Sequence, residues 1–122
     1  MSCTAQDFLT LAKKLSSSVE EIDRRTAVGR AYYCAFHMAD SAKGALPETP
    51  YDDRGQGSHE VVIRRYLGSP ARKNAIKVGY MLRDMKNRRE SADYVLYGEC
   101  HSEDAISQIA QAEKIEALLE QL

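Results

Sequence analysis

The spacing of apolar residues in this chain favours helices almost everywhere, and signals for β-strands are nearly absent. No segment alternates apolar and polar residues for long, and β-branched residues rarely cluster beyond Val61, Val62 and Ile63. The 122 residues are enough for one domain with its own core, since domains usually contain about 50–250 residues. The sequence therefore predicts a single all-α domain that spans residues 1–122.

Capping residues and apolar stripes predict four sizeable helices and one short one, arranged as an antiparallel four- to five-helix bundle. The expected spans are about 5–16, 20–43, 58–68, 69–90 and 102–122, with N-caps at Thr4, Ser58 and Ser69 and with Ser102 opening the last helix. Asp7 completes a variant of the capping box with Thr4. The apolar stripe of the first helix is expected at Phe8, Leu11, Ala12 and Leu15. Residues 44–57, which are rich in proline and glycine, predict one long loop.

Composition argues against a disordered or membrane-spanning chain. Hydrophobic residues make up 43% and charged residues 29%, and no apolar run reaches the roughly 20 residues that a spanning helix needs. The N-terminus lacks the basic and apolar regions of a signal peptide. The three cysteines (Cys3, Cys34 and Cys100) are widely spaced and odd in number. This pattern favours a reduced, cytoplasmic location and no contact with a membrane.

The net charge of −1 conceals a strong asymmetry along the chain. Residues 54–90 hold ten Lys or Arg and three Asp or Glu, whereas residues 91–122 hold one base and seven acids. The asymmetry is consistent with a basic face aimed at phosphates. It is equally consistent with two adjacent helices that neutralise each other. Composition leaves both interpretations open.

The second helix carries a column of polar residues on one face. Its members recur at steps of three and four residues and are Thr26, Arg30, Tyr33, His37 and Ser41. The opposite face carries small residues, namely Val28, Ala31, Ala35, Ala39 and Ala42. A guanidinium and an imidazole on one face can hold a phosphate and move a proton. The alternative is a polar seam in which Arg30 pairs with acids of a neighbouring helix.

Two arginines and a tyrosine stand near the end of the fourth helix. Arg89 and Asp93 are four residues apart and can pair across one turn. If the helix stops near Ser91, Tyr94 folds back toward Arg88 and Arg89, where a phenol and a guanidinium can bind a base and a phosphate. The alternative is a brace between Arg89 and Asp93, with Tyr94 closing the end of the bundle.

Metal and cofactor motifs are lacking. The chain has two Cys/His pairs, Cys34 with His37 and Cys100 with the adjacent His101. Their spacing is poorly suited to binding one tetrahedral metal ion. No phosphate-binding glycine motif or nucleophile motif is present either. We therefore expect no cofactor and no metal. His59, at the start of the third helix, is expected to be a packing or capping residue.

Three segments resemble the small HEPN (higher eukaryotes and prokaryotes nucleotide-binding) domains. Residues 25–39, RTAVGRAYYCAFHMA, resemble the family signature R-x-A-x-x-R-A-Y-Y-A-x-F-H-A-A. Residues 58–63, SHEVVI, are similar to its S-H-x-x-V-I, and residues 89–94, RESADY, match its R-x-x-A-D-Y. The last helix, which begins at Ser102, is also similar. The likeness covers about residues 20–122.

The resemblance implies an antiparallel helical bundle that forms a homodimer. Such domains are often encoded beside a minimal nucleotidyltransferase in toxin–antitoxin pairs, or within prokaryotic defence loci. Many are metal-independent ribonucleases with an R-x(4–6)-H motif on the later helix. At that spacing after Arg88 and Arg89 this chain has Tyr94, and the next histidine downstream is His101.

The function predicted from the resemblance is binding of RNA, a nucleotide or a partner protein, such as a minimal nucleotidyltransferase or a subunit of a defence complex. The alternatives are a metal-independent ribonuclease and a purely structural subunit. The expected binding residues are Arg30, Tyr33, Arg88, Arg89 and Tyr94. Arg89, Tyr94 and His37 are the candidates for catalysis. Arg30, Arg89 and Tyr94 are expected to converge on one pocket open to solvent.

Overall fold

The computed structural model describes residues 2–48 and 53–122, and these residues form a helical bundle without strands. The helices are α1 (Ala5–Leu15), α2 (Glu21–Ala42), α3 (Ser58–Leu67), α4 (Lys73–Tyr94) and α5 (Ser102–Leu119), and a 3₁₀ turn (Lys43–Ala45) follows α2. This confirms the all-α bundle predicted from periodicity. Residues 49–52 of the predicted loop lie outside the described residues. None of the described helices is long and apolar enough to cross a membrane.

Helix α2 is the central element, because it packs against all four other helices. Its predicted small-residue face is buried, at Val28, Ala31, Ala35 and Ala39. Small side chains let neighbouring backbones approach closely, so several helices can share one central partner. The polar column on the opposite side of α2 stays partly accessible, and it is this side that carries the candidate site.

Helix α1 begins as predicted, but the face that it buries differs from the predicted apolar stripe. The backbone N–H of Thr4 donates to the Asp7 carboxylate at 2.7 Å, which confirms the capping box. Leu9 is buried, whereas Leu11 is 42% exposed. The predicted burial of Leu11 is therefore wrong. The physical reason is that α1 packs against both α2 and α5, which moves its buried arc towards Leu9 and Ala12.

The boundaries between α3 and α4 differ from the predicted ones. Gly57, not Ser58, is the N-cap of α3, and α4 begins at Lys73, beyond the predicted cap at Ser69. The hydroxyl of Ser69 donates to the Arg65 carbonyl at 3.1 Å, so this serine closes α3 and does not open α4. At its other end α4 continues to Tyr94, four residues beyond the predicted end at Glu90.

A close approach fixes the crossing of α3 and α4. A Cβ atom added to Gly79 on α4 would lie 2.7 Å from Cδ2 of Leu67 and 3.2 Å from its backbone nitrogen. Such distances are below van der Waals contact, so only glycine allows the end of α3 to sit against α4 in this way. The last residue of α3 is thereby held against α4.

Candidate functional site

Aromatic rings and a basic side chain meet where α2, α3 and α4 pack together. This aromatic–basic cluster consists of Tyr32, Tyr33, Phe36, His59 and Arg89. Helix α2 supplies three rings within five residues, α3 supplies the histidine from its first turn, and α4 supplies the arginine. The three elements are far apart in sequence, so the cluster exists only in the folded chain.

His59 is packed against two rings of α2. Its ring lies 4.4 Å from the ring of Phe36 and 5.5 Å from that of Tyr32, both nearly parallel to it. Its Nδ1 is 2.6 Å from the hydroxyl oxygen of Tyr32. The position agrees with the packing role expected for His59, but sequence reasoning did not place this residue beside Arg89. The signal that pointed to it was the S-H-x-x-V-I similarity.

The contact between Tyr32 and His59 assigns the proton on the imidazole. Tyr32 is fully buried, and burial raises the pKa of its phenol, which keeps the hydroxyl protonated. Nδ1 of His59 is the one hydrogen-bond partner of this hydroxyl among residues 2–48 and 53–122. The hydroxyl therefore donates to Nδ1, because a buried donor without an acceptor is costly. In neutral His59 the proton then resides on Nε2, which is a hydrogen-bond donor.

His59 is held in its neutral form. Burial and then the positive charges of Arg89 and Lys86 lower its pKa below the ordinary value of 6.5. His37 adds to this effect, and the carboxylate of Glu90 opposes it. At neutral pH the imidazole is therefore an uncharged donor in a basic setting.

This pKa shift predicts a pH dependence of stability. As the pH falls below about 6.5, the unfolded chain binds a proton at His59 more readily than the folded chain, so the free energy of unfolding decreases. Urea unfolding at about pH 7.5 and about pH 5.5 measures the change. The H59Q variant is expected to lose less stability on acidification than the wild type. Equal losses in the two proteins would contradict this, and H101Q, at an exposed histidine, is the matched control.

Arg89 pairs with two carboxylates and lies on two tyrosine rings. Its guanidinium carbon is 5.7 Å from the ring centres of both Tyr32 and Tyr33. Asp93 and Glu90 approach it at 3.3 and 3.9 Å, and its side chain is 14% exposed. Its Nε is buried and has no acceptor among the described residues. A guanidinium has five N–H donors, so part of its capacity remains unused.

Arg30 extends the cluster towards α1. Its guanidinium carbon is 5.1 Å from the ring of Tyr33 and 5.3 Å from that of Phe8. In the described part of the chain no carboxylate lies within ion-pair distance of Arg30. The alternative prediction, in which Arg30 pairs with acids of a neighbouring helix, is therefore wrong for these residues. His37, exposed one turn beyond Tyr33, lies 5.2 Å from Phe8. Arg30 and Arg89 therefore both contact the ring of Tyr33.

Arg88 and Tyr94 lie apart from this cluster. Arg88 pairs with Asp84 at 2.9 Å and donates to Ser107 of α5 at 3.4 Å. Tyr94 is 76% exposed. The predicted return of Tyr94 towards the arginines required α4 to stop near Ser91, but α4 continues through Tyr94. Successive helical residues are about 100° apart, so Arg88, Arg89 and Tyr94 point in three directions. The structure therefore places Arg30 and Arg89 at the ring of Tyr33, whereas Tyr94 lies away from it.

The bases of α4 are paired mainly with acids of α3 and of α4 itself. Arg83 and Lys86 approach Glu60 of α3 at 2.6 and 3.8 Å. Within the described ranges no ion pair joins α4 to α5, and Glu113 of α5 pairs with Lys13 of α1 at 3.5 Å. The interpretation in which the basic and acidic helices neutralise each other is therefore wrong for the single chain. The reason is that the acids of α5 face α1 and solvent.

In the part of the chain that the structure describes, no group of three or more His, Cys, Asp or Glu residues could hold a metal ion. Cys34 is buried, and burial raises the pKa of its thiol to about 11. The thiol therefore stays protonated and behaves as a small apolar group of the core.

Comparison with protein-family models, with curated proteins and with solved structures finds no match to this chain. The resemblance to HEPN domains therefore stays a prediction, and the properties of the site follow from its own residues.

Proposed function

We propose that this chain is an HEPN-like helical domain that binds RNA or a nucleotide through the aromatic–basic cluster and Arg30. One observation carries the proposal: the guanidinium groups of Arg30 and Arg89 lie 5.1 and 5.7 Å from the ring of Tyr33. Two cations beside one partly exposed aromatic ring are the combination by which proteins hold the phosphates and bases of single-stranded RNA.

Each group of the cluster has a distinct part in binding. The guanidinium groups offer planar sets of donors that match phosphate geometry. Tyr33 offers a face for a base, and Nε2 of His59 offers a neutral donor for a phosphate oxygen. Tyr32 positions His59 through its hydroxyl, 2.6 Å from Nδ1. Phosphate recognition in this arrangement depends on charge and donors and requires no metal.

The three segments that resemble HEPN signatures lie together in the folded chain, and this supports the proposal that the domain is HEPN-like. Arg30, Tyr32 and Tyr33 belong to the first segment, His59 to the second and Arg89 to the third. In the folded chain all three segments contribute to one surface. Packing alone would not require the quoted polar residues of three separate helices to share a location.

Binding of single-stranded RNA is expected to depend on salt. If Arg30 and Arg89 neutralise two phosphates, affinity should fall about sevenfold between roughly 50 and 200 mM salt, since each neutralised phosphate of a single strand contributes a slope of about 0.7. Fluorescence anisotropy with a labelled uridine 12-mer measures this. An affinity that does not change across this range would contradict the proposal.

We expect binding without cleavage. Metal-free cleavage of RNA needs a group that accepts the proton of the 2′-hydroxyl. Nε2 of His59 carries a proton and Tyr94 lies outside the cluster, so neither meets this need. His37, the other histidine among the candidates, lies outside the cluster against Phe8, with 5.2 Å between the two ring centres. RNA incubated with the protein in chelator should remain intact on a denaturing gel while it still binds. Cleavage that disappears in R89A or in H37A would instead establish the ribonuclease alternative.

A structural subunit is the remaining alternative. It predicts that low salt yields no RNA complex and that the protein forms a stable complex with the product of an adjacent gene. The homodimer and the toxin–antitoxin or defence setting also stay predictions from the resemblance. Sedimentation of the purified protein, alone and with the neighbouring gene product, tests both.

A further inference from the structure

A groove of about 670 Å³ lies beside the cluster, between the start of α1, the second half of α2 and the end of α5. Its walls include Phe8, His37, Met38, Glu116, Leu119 and Glu120. Pockets for small ligands typically measure about 300–1,000 Å³, so the groove is large enough for a nucleobase. The function proposed above does not make use of it.

The groove is continuous with the proposed RNA-binding surface through Phe8. The ring of Phe8 forms part of its wall, and the same ring lies 5.3 Å from the guanidinium carbon of Arg30. His37, also in the wall, lies 5.2 Å from Phe8. A nucleotide whose phosphate is held by Arg30 therefore has an aromatic surface and an open groove next to it.

The polar part of the groove favours hydrogen-bond donors. Glu116 of α5 and Glu120, the C-cap residue of α5, are four residues apart, and both line the groove, whereas no lysine or arginine does. The amide of Gln6 donates to Oε2 of Glu116 and also contacts the sulfur of Met38, which holds this carboxylate in place. A carboxylate has about four acceptor positions, so Glu116 can accept further hydrogen bonds.

Among the four RNA bases, guanine fits this arrangement best. Its Watson–Crick edge presents two adjacent donors, the N1–H and the 2-amino group, and one carboxylate can accept from both. Adenine, cytosine and uracil each place an acceptor on that edge next to a donor, and this acceptor would face the carboxylate. Carboxylates repel phosphate, so the phosphate must remain outside, at Arg30.

We propose that the groove binds a guanine base, with Glu116 accepting its Watson–Crick donors, Phe8 stacking on its face and Arg30 holding the attached phosphate. The inference rests on the proposed function for the ligand class, and it adds a base preference that backbone binding alone does not give. Glu120, which also lines the groove, adds a second negative charge.

Titration calorimetry with 5′-GMP, AMP, CMP and UMP at one ionic strength tests the inference. GMP is expected to bind at least about tenfold more tightly than the other three, the effect of a bidentate pair worth roughly 1.4 kcal/mol. In E116Q this preference should disappear, because the amide turns an NH₂ towards the donors of guanine. E113Q is the matched control, since Glu113 lies on the same helix and pairs with Lys13 outside the groove.

A second comparison tells whether the guanine belongs to an RNA strand or to a free nucleotide. It compares the affinity for a uridine 12-mer that contains one guanosine with the affinity for the all-uridine 12-mer. Tighter binding of the guanosine-containing strand, lost in E116Q, supports a site that reads RNA. A preference for GMP without any binding of RNA supports the groove and overturns only the RNA proposal. Equal binding of all four nucleotides, or a preference unchanged in E116Q, overturns the inference even if RNA binds.

Discussion

Replacing Arg89 by alanine is expected to weaken binding of single-stranded RNA by about 10- to 100-fold. A hydrogen bond to a charged group contributes roughly 1.5–3 kcal/mol, which corresponds to this range of affinity. Arg89 also lies 5.7 Å from the rings of Tyr32 and Tyr33, so its loss removes the cation from the centre of the cluster. The slope of log affinity against log salt concentration is expected to decrease by about 0.7, which is the contribution of one phosphate of a single strand.

Arg88 offers a matched control for this experiment. The R88A variant removes the same charge one residue away, but Arg88 is directed to Asp84 and to Ser107 of α5. If the cluster binds RNA, R88A should lower the affinity by less than about threefold, as expected for an exposed charge outside the contact. Equal losses in R88A and R89A would show that general positive charge on α4, and not the cluster, holds the RNA.

The conservative variant R89K separates charge from geometry. Lysine keeps the positive charge but lacks the planar set of donors that arginine offers to phosphate and to aromatic rings. We expect R89K to recover part of the salt dependence and only a small part of the affinity. Urea unfolding of R89A, R89K and R88A confirms that each protein is folded, which is needed because the Arg89 side chain is largely buried.

Replacing Arg25 by methionine is expected to lower the free energy of unfolding by about 3–5 kcal/mol. Arg25 is 6% exposed and donates to the carbonyls of Ala92, Val95 and Gly98 at 2.8, 3.1 and 2.6 Å. These carbonyls belong to the end of α4 and the loop that follows. Without Arg25 the buried carbonyl of Ala92 and the part-buried carbonyls of Val95 and Gly98 lose this donor. A loss of this size is a large part of the 5–15 kcal/mol typical of a domain.

The neighbouring residue Arg24 is the control for Arg25. It also joins α2 to the loop before α5, donating to the carbonyls of Cys100 and Ser18 at 2.9 Å each, but it is half-exposed. Water can replace its hydrogen bonds, so R24M is expected to cost only about 1 kcal/mol. Urea unfolding of both variants measures the difference. A loss below about 1 kcal/mol in R25M would mean that the end of α4 is held by other contacts.

Local signals predicted the helices well because they depend on near neighbours in the sequence. Thr4 and Asp7 are three residues apart, and they form the predicted capping box. The small-residue face of α2 follows from helical periodicity, and this face is buried. The end of α4 was missed because its last turn is stabilised by Arg25, which lies on a different helix.

The composition of the site was predicted only in part. Arg30, Tyr33 and Arg89 were chosen from their helical positions and sequence motifs, and the structure brings them together. His59 was assigned to local packing, because a single histidine at a helix start carries no sign of its partners. Its contact with Tyr32 depends on how α3 crosses α2 and α4.

The sequence by itself determined that this chain forms helices, where most of them begin, and which face of α2 carries the small residues. These properties arise from caps and from a period of 3.6 residues, and they need no distant contact. Only the tertiary structure decided that Arg89 lies on the rings of α2 while Arg88 is directed to α5 and Tyr94 to solvent. Neighbouring side chains on a helix diverge by about 100°, so the packing of α3 and α4 on α2 determines which of them meet.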